Sequence, residues 1–389
     1  MPPKLPPLQS WSSAFIAVLI GFGGTIALVV QAMRALGASV EHIGSGVTAL
    51  CLGIAIGGAA LSYRLRMPVL LAWSTPGAAL LVATSPGVTW NVAVAVFIAA
   101  SLMTIAVGAV PMFGRLAERI PSSIASAMLA GVLLPFCLSL FRLGSTDWAM
   151  LVVLVAVFIV ARQRWPLHAL LLALGAGVIL ALTRGDVSSV PSGPTFGTLT
   201  AVVPSFDVQA ILSLAIPLFL VTLVSQNLPG LVVLRASGYQ PNSGTLLIGS
   251  GVAGVAAAPF GAHIVNLAAL TAAICTSDDA HPDRNQRWKV GVLYAAFYLL
   301  LAIFSPALVR LFLALPSPVI VGLTGVALIP ALINALDAML VVKEDRDAAI
   351  VTFLATGSGL ALFGLGAAFW GLLVGFVAIG AKMLMKRSA

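Results

Sequence analysis

The residues able to do chemistry are few and sit in apolar surroundings. His263 and Asn266 follow Pro259-Phe260-Gly261, Trp73-Ser74-Thr75 precedes Pro76-Gly77, and Gln226-Asn227 precedes Leu228-Pro229. One imidazole, three carboxamides and two hydroxyls offer hydrogen bonds and a single exchangeable proton, and His263 is the one group among them that titrates near physiological pH when unperturbed. That is binding chemistry. Catalysis would need a nucleophile with a base, or a metal cluster, and no H-E-x-x-H, G-x-S-x-G or Cys/His cluster occurs. Cys51, Cys137 and Cys275 fall inside apolar runs without C-x-x-C spacing and are read as packing residues. Neither a cofactor nor a metal is expected.

Both of the larger clusters lie at breaks. From Gly254 a short extended run reaches Pro259-Phe260-Gly261, and Ala262 to Cys275 then gives ~14 helical residues, roughly 21 Å of a ~30 Å hydrocarbon core. This predicts a broken membrane segment with His263 and Asn266 in the first turn of its half-helix, where free N–H groups favour an anion. Pro68 to Ala83 has the same form, an extended run ending in Trp73-Ser74-Thr75-Pro76-Gly77 before a short helix. Breaks in corresponding places of two halves point to a transporter's site near the membrane centre.

Composition agrees with membrane segments. Of 389 residues, 60% are hydrophobic and 8% charged, which describes a polytopic membrane protein and no water-soluble domain. The net charge of +8 sits in short loops with no basic face interleaved with aromatics, so no nucleic-acid partner is expected. The apolar run Ala14 to Met33 is too long for a signal peptide and is read as the first span. Apolar runs predict fourteen spans in all, seven per half, with the ninth at 243–254 and the tenth at 255–275. With the N-terminus cytoplasmic, 16 of the 20 Lys and Arg residues, Lys4, Arg115, Arg119 and Lys386 among them, fall inside. Arg34, Arg142, Arg184 and Arg310 fall outside, as the positive-inside rule requires, and both termini are cytoplasmic.

Seven is odd, so the second half must run in the opposite sense, which makes an inverted repeat. Pro121 to Pro135 and Pro316 to Pro330 share a spacing of 14 positions, and the polar stretch Thr183 to Asp207 joins the halves. The fold class is therefore all-α and polytopic, with 14 transmembrane segments as two inverted seven-segment repeats and with spans 3 and 10 broken.

At PVLLAWSTPGAALL, at Ser225-Gln226-Asn227-Leu228-Pro229-Gly230 and at Pro259 to Leu267, the sequence resembles the bacterial benzoate:proton symporter (BenE) family. The resemblance covers the whole chain. More distantly the chain is similar to the uracil permease and anion exchanger superfamily. That resemblance implies a core domain, residues 1–120 and 208–308, and a gate domain, residues 121–186 and 309–389, with 187–207 as connector. It also implies elevator-like movement of core against gate, while the family resemblance implies a bacterial cytoplasmic (inner) membrane and a benzoate-like aromatic carboxylate taken up with a proton. A homodimer is left open. Where uracil permeases carry two glutamates, this chain has Gln226 and Ala262. A neutral site suits an anion, since amides and half-helix N–H groups can donate to it.

The expected substrate site is built from Phe22, Thr25, Trp73, Ser74, Thr75, Gln226, Asn227, Phe260, Gly261, His263 and Asn266. Trp73 or Phe260 would stack on the ring, and His263 would couple the proton, with Asp337 or the loop acid Glu41 as alternatives. Plainer roles stand beside these. His263 could donate to a backbone carbonyl, Gln226 and Asn227 could glue helices together, Trp73 and Phe260 could fill core, and the glycines around Phe22 and Thr25 could serve close packing. The alternatives in function are a nucleobase or other small-anion transporter and, from another class, a channel, which would need pore-lining rings along its helices.

Overall fold

The computed structural model describes residues 6–23, 25–84, 87–110, 121–363 and 367–387. Lys4, Arg115 and Arg119 of the charge argument lie outside the described residues. Among the described residues, eight helices are long and apolar enough to cross a membrane. In chain order the elements are α1 (Leu8–Gly23), α2 (Ile26–Ala35), α3 (Val40–Leu65), β1 (Leu71–Trp73), α4 (Thr75–Thr84) and α5 (Trp90–Ala109). There follow α6 (Ser122–Arg142), α7 (Trp148–Arg164), α8 (Ala169–Arg184), the long α9 (Val208–Ala236) and α10 (Ser243–Ala257). The chain closes with β2 (Val265–Leu267), α11 (Leu270–Thr276), α12 (Trp288–Leu313), α13 (Ser317–Leu340), α14 (Arg346–Gly357) and α15 (Ala367–Arg387).

Two prolines shape α9. Pro217 and Pro229 have no N–H to give to the carbonyls of Ser213 and Ser225, four residues earlier. The chain widens at both places into π-helical turns, Ile211–Ala215 and Leu223–Asn227, each closed by a bond from the fifth residue on (Ile216 to Ile211, Leu228 to Leu223). Gln226 and Asn227 stand on the second widened turn.

The only sheet among the described residues is a two-stranded antiparallel ribbon pairing Leu71 with Leu267, Ala72 with Asn266 and Trp73 with Val265. An isolated ribbon inside an apolar bundle must find partners for its outward N–H and C=O groups. Side chains supply them. Leu267 N–H donates to Asn227 Oδ1 (2.9 Å), Tyr294 Oη donates to Leu71 O (3.2 Å), and Ser62 Oγ both donates to Val69 O (2.9 Å) and accepts Val69 N–H (3.1 Å).

The second break differs from the expectation. Helix α10 continues through Ala257 into a short 3-10 turn, Ala258–Phe260, which tolerates Pro259 because its N–H is not needed there. The chain reverses only at Gly261, whose φ of +96° is left-handed, and the β-branched Ile264-Val265 then favour an extended path. His263 and Asn266 therefore lie on the extended stretch and not in a helical first turn, and α11 is seven residues long instead of ~14.

The main packing pairs are α3 on α12, α5 on α10, α6 on α13, and α14 on α6 and α15. A second, separate apolar cluster joins α7 and α8 to the ends of α6 and α13, with Leu140, Met150, Leu154, Ala173, Val319 and Val326 at its centre. Residues 187–207 run extended over the ends of α3, α5 and α12. Thr200 N–H donates to Ser45 Oγ (2.9 Å), Gly197 N–H to Ile303 O (2.7 Å) and Ser205 N–H to Asn91 O (3.0 Å).

Candidate functional site

The ribbon end and the start of α4 form the polar centre of the bundle. Ser74 caps α4, with Oγ accepting Gly77 N–H (3.0 Å) and Thr222 Oγ1 donating to the same oxygen (2.9 Å). Pro76 has no N–H to offer, so this helix start is already largely satisfied by its own cap. His263 Nε2 lies 3.2 Å from Ser74 O. A carbonyl can only accept, so Nε2 carries the hydrogen and Nδ1 of the neutral ring is an acceptor, buried and without a partner.

Two amides flank the same ribbon. Asn227 uses Oδ1 on Leu267 N–H and leaves Nδ2 unpaired, while Asn266 Nδ2 donates to Leu267 O (2.8 Å) and leaves Oδ1 unpaired. Asn227, His263 and Asn266 are each at most 1% exposed. Burying a polar atom without a partner costs about 1–3 kcal/mol, so each of these three atoms along the ribbon would gain from a hydrogen-bonding group brought to it. They comprise one donor and two acceptors. Among the described residues no acid or base other than His263 belongs to the cluster.

The aromatic side of the site was only half legible. Trp73 Nε1 donates to Thr25 Oγ1 (2.8 Å), Thr25 in turn donates to Gly21 O (2.6 Å), and the Phe22 ring lies 5.5 Å from that of Trp73. Phe22, Thr25 and Trp73 are thus brought together. Tyr298 meets Trp73 edge-on at 6.1 Å and Tyr294 at 4.9 Å, and neither tyrosine was expected here. Their spacing of i, i+4 on an apolar helix puts both on one face and was the available signal.

Phe260 stands elsewhere. It lines an apolar groove between α3 and α10 together with Leu199, and its carbonyl accepts Ser45 Oγ (2.9 Å), so it does not face Trp73. Gly261 is needed for packing, since a Cβ there would come within 2.7 Å of Trp90 Cζ2. Gln226 is half-buried on the widened turn, and Asp337 is exposed on α13, far along the sequence from the ribbon elements. Thr75 lines a small pocket with Thr25, Leu28, Leu170, Phe312 and Thr324, between α1, α2 and α4 on one side and α8, α12 and α13 on the other.

The family model for the benzoate membrane transport protein, BenE, matches residues 7–380. The chain belongs to the BenE family. This BenE member is 40% identical over 370 residues to the inner membrane protein YdcO of Escherichia coli, covering 94% of this chain and 93% of that one. It is 34% identical over 377 residues to the benzoate membrane transport protein of Acinetobacter baylyi, covering 95% of each. Among solved structures it is similar to the transmembrane domain of the cyanobacterial bicarbonate transporter BicA, with a TM-score of 0.59, 15% identity, and 95% of this chain and 97% of that one covered. It is also similar to the murine anion transporter Slc26a9 in its inward-facing state, with a TM-score of 0.64, 14% identity, and 99% and 69% covered. The two structural likenesses speak to the fold alone. The family makes this BenE member a membrane transporter and not an enzyme.

Proposed function

We propose that this chain is a secondary active transporter that imports benzoate or a related aromatic carboxylate together with a proton, by alternating access. The observation that carries this reading is the trio of unpartnered buried atoms around one ribbon in a site otherwise free of charge. Asn227 Nδ2 donates to the carboxylate, His263 Nδ1 takes the proton, and Trp73 with Phe22 supplies the aromatic wall. Thr75 and its small pocket lie next to Ser74, on the side from which we expect the ligand to arrive. A protonated imidazole and a carboxylate attract each other, so each favours arrival of the other.

The packing supports an inverted repeat of fourteen spans, with β1–α4 as span 3 and β2–α11 as span 10. Shifting every span by seven turns the α3·α12 pair into α10·α5 and sends α6·α13 onto itself, and both kinds of contact are among the largest. On this reading α6–α8 and α13–α15 form the gate, the other spans form the core, and the core slides against the gate. The split of basic residues supports cytoplasmic termini, and the likeness to an inner membrane protein supports that membrane.

The test is uptake of radiolabelled benzoate into proteoliposomes under an inward proton gradient. We expect accumulation above equilibrium, abolished by a protonophore and competed by ring-substituted benzoates but not by uracil or bicarbonate. Strong competition by uracil with no benzoate accumulation would replace this reading with the nucleobase alternative, and single-channel currents would replace it with a pore.

A further inference from the structure

Apart from the ribbon, a second set of buried oxygens lacks partners, and it lies about a different cavity. Gln31 Oε1, Thr324 Oγ1 and Thr356 Oγ1 are buried without hydrogen bonds, and all three residues line one vestibule of about 1220 Å³ of empty space, its open mouth included. Gln31 comes from α2, Thr324 from α13 and Thr356 from the end of α14, so the vestibule lies across the interface of the two proposed lobes. The rest of its wall is mostly apolar, with Val82, Val132 and Phe136, and adds two hydroxyls, Ser139 and Ser358.

The wall is built and not a gap left by loose packing. Thr356 is pressed against α6 at Gly131, where a Cβ would come within 2.7 Å of its own Cβ, and against α15 at Gly371, where a Cβ would meet its hydroxyl. Two glycines thus hold a threonine whose hydroxyl has no internal partner. Among the described residues no acid, base or guanidinium lines the cavity, so its chemistry is that of hydroxyls and one amide beside an apolar surface. That fits a small amphipathic ligand with a carboxyl head and a hydrocarbon ring. Thr324 also lines the small pocket that holds Thr25 and Thr75, so it stands where the two cavities adjoin.

We propose that the vestibule is a second ligand site, in which an aromatic carboxylate rests between solvent and the ribbon site, its head accepting hydrogen bonds from the Thr356 and Thr324 hydroxyls and from Gln31 Nε2 and its ring against Phe136. This rests on the substrate reading above. Full-length protein in nanodiscs, titrated with radiolabelled benzoate, should show two binding steps per chain, the second weaker. Thr356→Val keeps the shape and removes the hydroxyl, and should weaken that second step and raise the KM for uptake about fivefold, the equivalent of one neutral hydrogen bond. Gln31→Leu should act on the same step, and Thr356→Ser should restore it. A single binding step in wild type that transports benzoate, with Thr356→Val and Gln31→Leu both unaltered in KM, overturns the second site and leaves the substrate reading standing. Absence of benzoate binding and transport in wild type overturns both.

Discussion

His263 presents one engaged and one bare nitrogen, and this asymmetry gives it a role that a merely buried histidine would lack. Its Nε2–H is committed to Ser74 O at 3.2 Å, so any proton it gains must arrive at Nδ1. Replacing it with glutamine keeps a donor for Ser74 and removes the titratable site. We expect His263→Gln to keep benzoate exchange within about tenfold of wild type and to lose accumulation driven by a pH gradient. The measurement is concentrative uptake set beside counterflow in the same vesicles. Accumulation with unchanged pH dependence would pass the proton to Asp337. The burial of His263 was legible in the sequence, because it sits within a long apolar stretch, and an ionisable side chain at that depth is rare. The double use of Asn227 was not, because its partner Leu267 lies 40 positions away and only the ribbon brings them together. Phe260 misled for a related reason. Its closeness to a break in sequence says nothing about which side of the helix the ring leaves, and the ring leaves toward α3.

Among the elements, α9 shows how a missing N–H places a side chain. Pro229 frees the carbonyl of Ser225 and lets the helix widen over Leu223–Asn227, which sets Asn227 against the ribbon edge. Pro229→Ala restores the donor, so the turn should tighten to ordinary α geometry and rotate Asn227 away from Leu267. We expect thermal stability in detergent to change little, because a regained helix bond offsets the lost ribbon cap, and benzoate transport to fall by at least about tenfold. A variant with wild-type transport would show that the widened turn has no part in the site. The prolines that make this turn were visible from the start, but a widened turn and a kink have the same sequence signature. The second break was misplaced for a comparable reason. A proline near the end of a helix can sit in a closing turn without breaking it, and the conformation that ends α10 belongs to Gly261.

At the scale of the whole molecule, the proposed motion separates two kinds of contact. Thr48 of α3 and Ser305 of α12 share a hydrogen bond of 2.7 Å within one lobe, whereas Ala83 of α4 and Val132 of α6 face the same vestibule from opposite lobes. In a background with Cys51, Cys137 and Cys275 changed to alanine, a disulfide between positions 48 and 305 should leave transport largely intact. A thiol cross-link between positions 83 and 132 should lower it at least about tenfold. Equal tolerance of both links would argue against movement of one lobe past the other. That the chain is built of apolar spans was legible because a bilayer imposes length on a local stretch of chain. How the spans pair was not, since helices that are apolar all round carry no mark of which neighbour they meet.

The pairing of Leu71 with Leu267 also bears on how the protein is made. A ribosome adding roughly 5–20 residues per second needs roughly 10–40 s to pass from the first strand to the second. For all of that time the Leu71–Trp73 backbone has no strand beside it, and hydrocarbon offers none of the hydrogen bonds that water would. We expect the nascent first half to hold this stretch as helix or at the wet interface until translation of the later half delivers the missing edge. A ribosome that stalls before Val265 leaves a chain with several apolar helices and no way to close its centre, a natural substrate for membrane quality-control proteases.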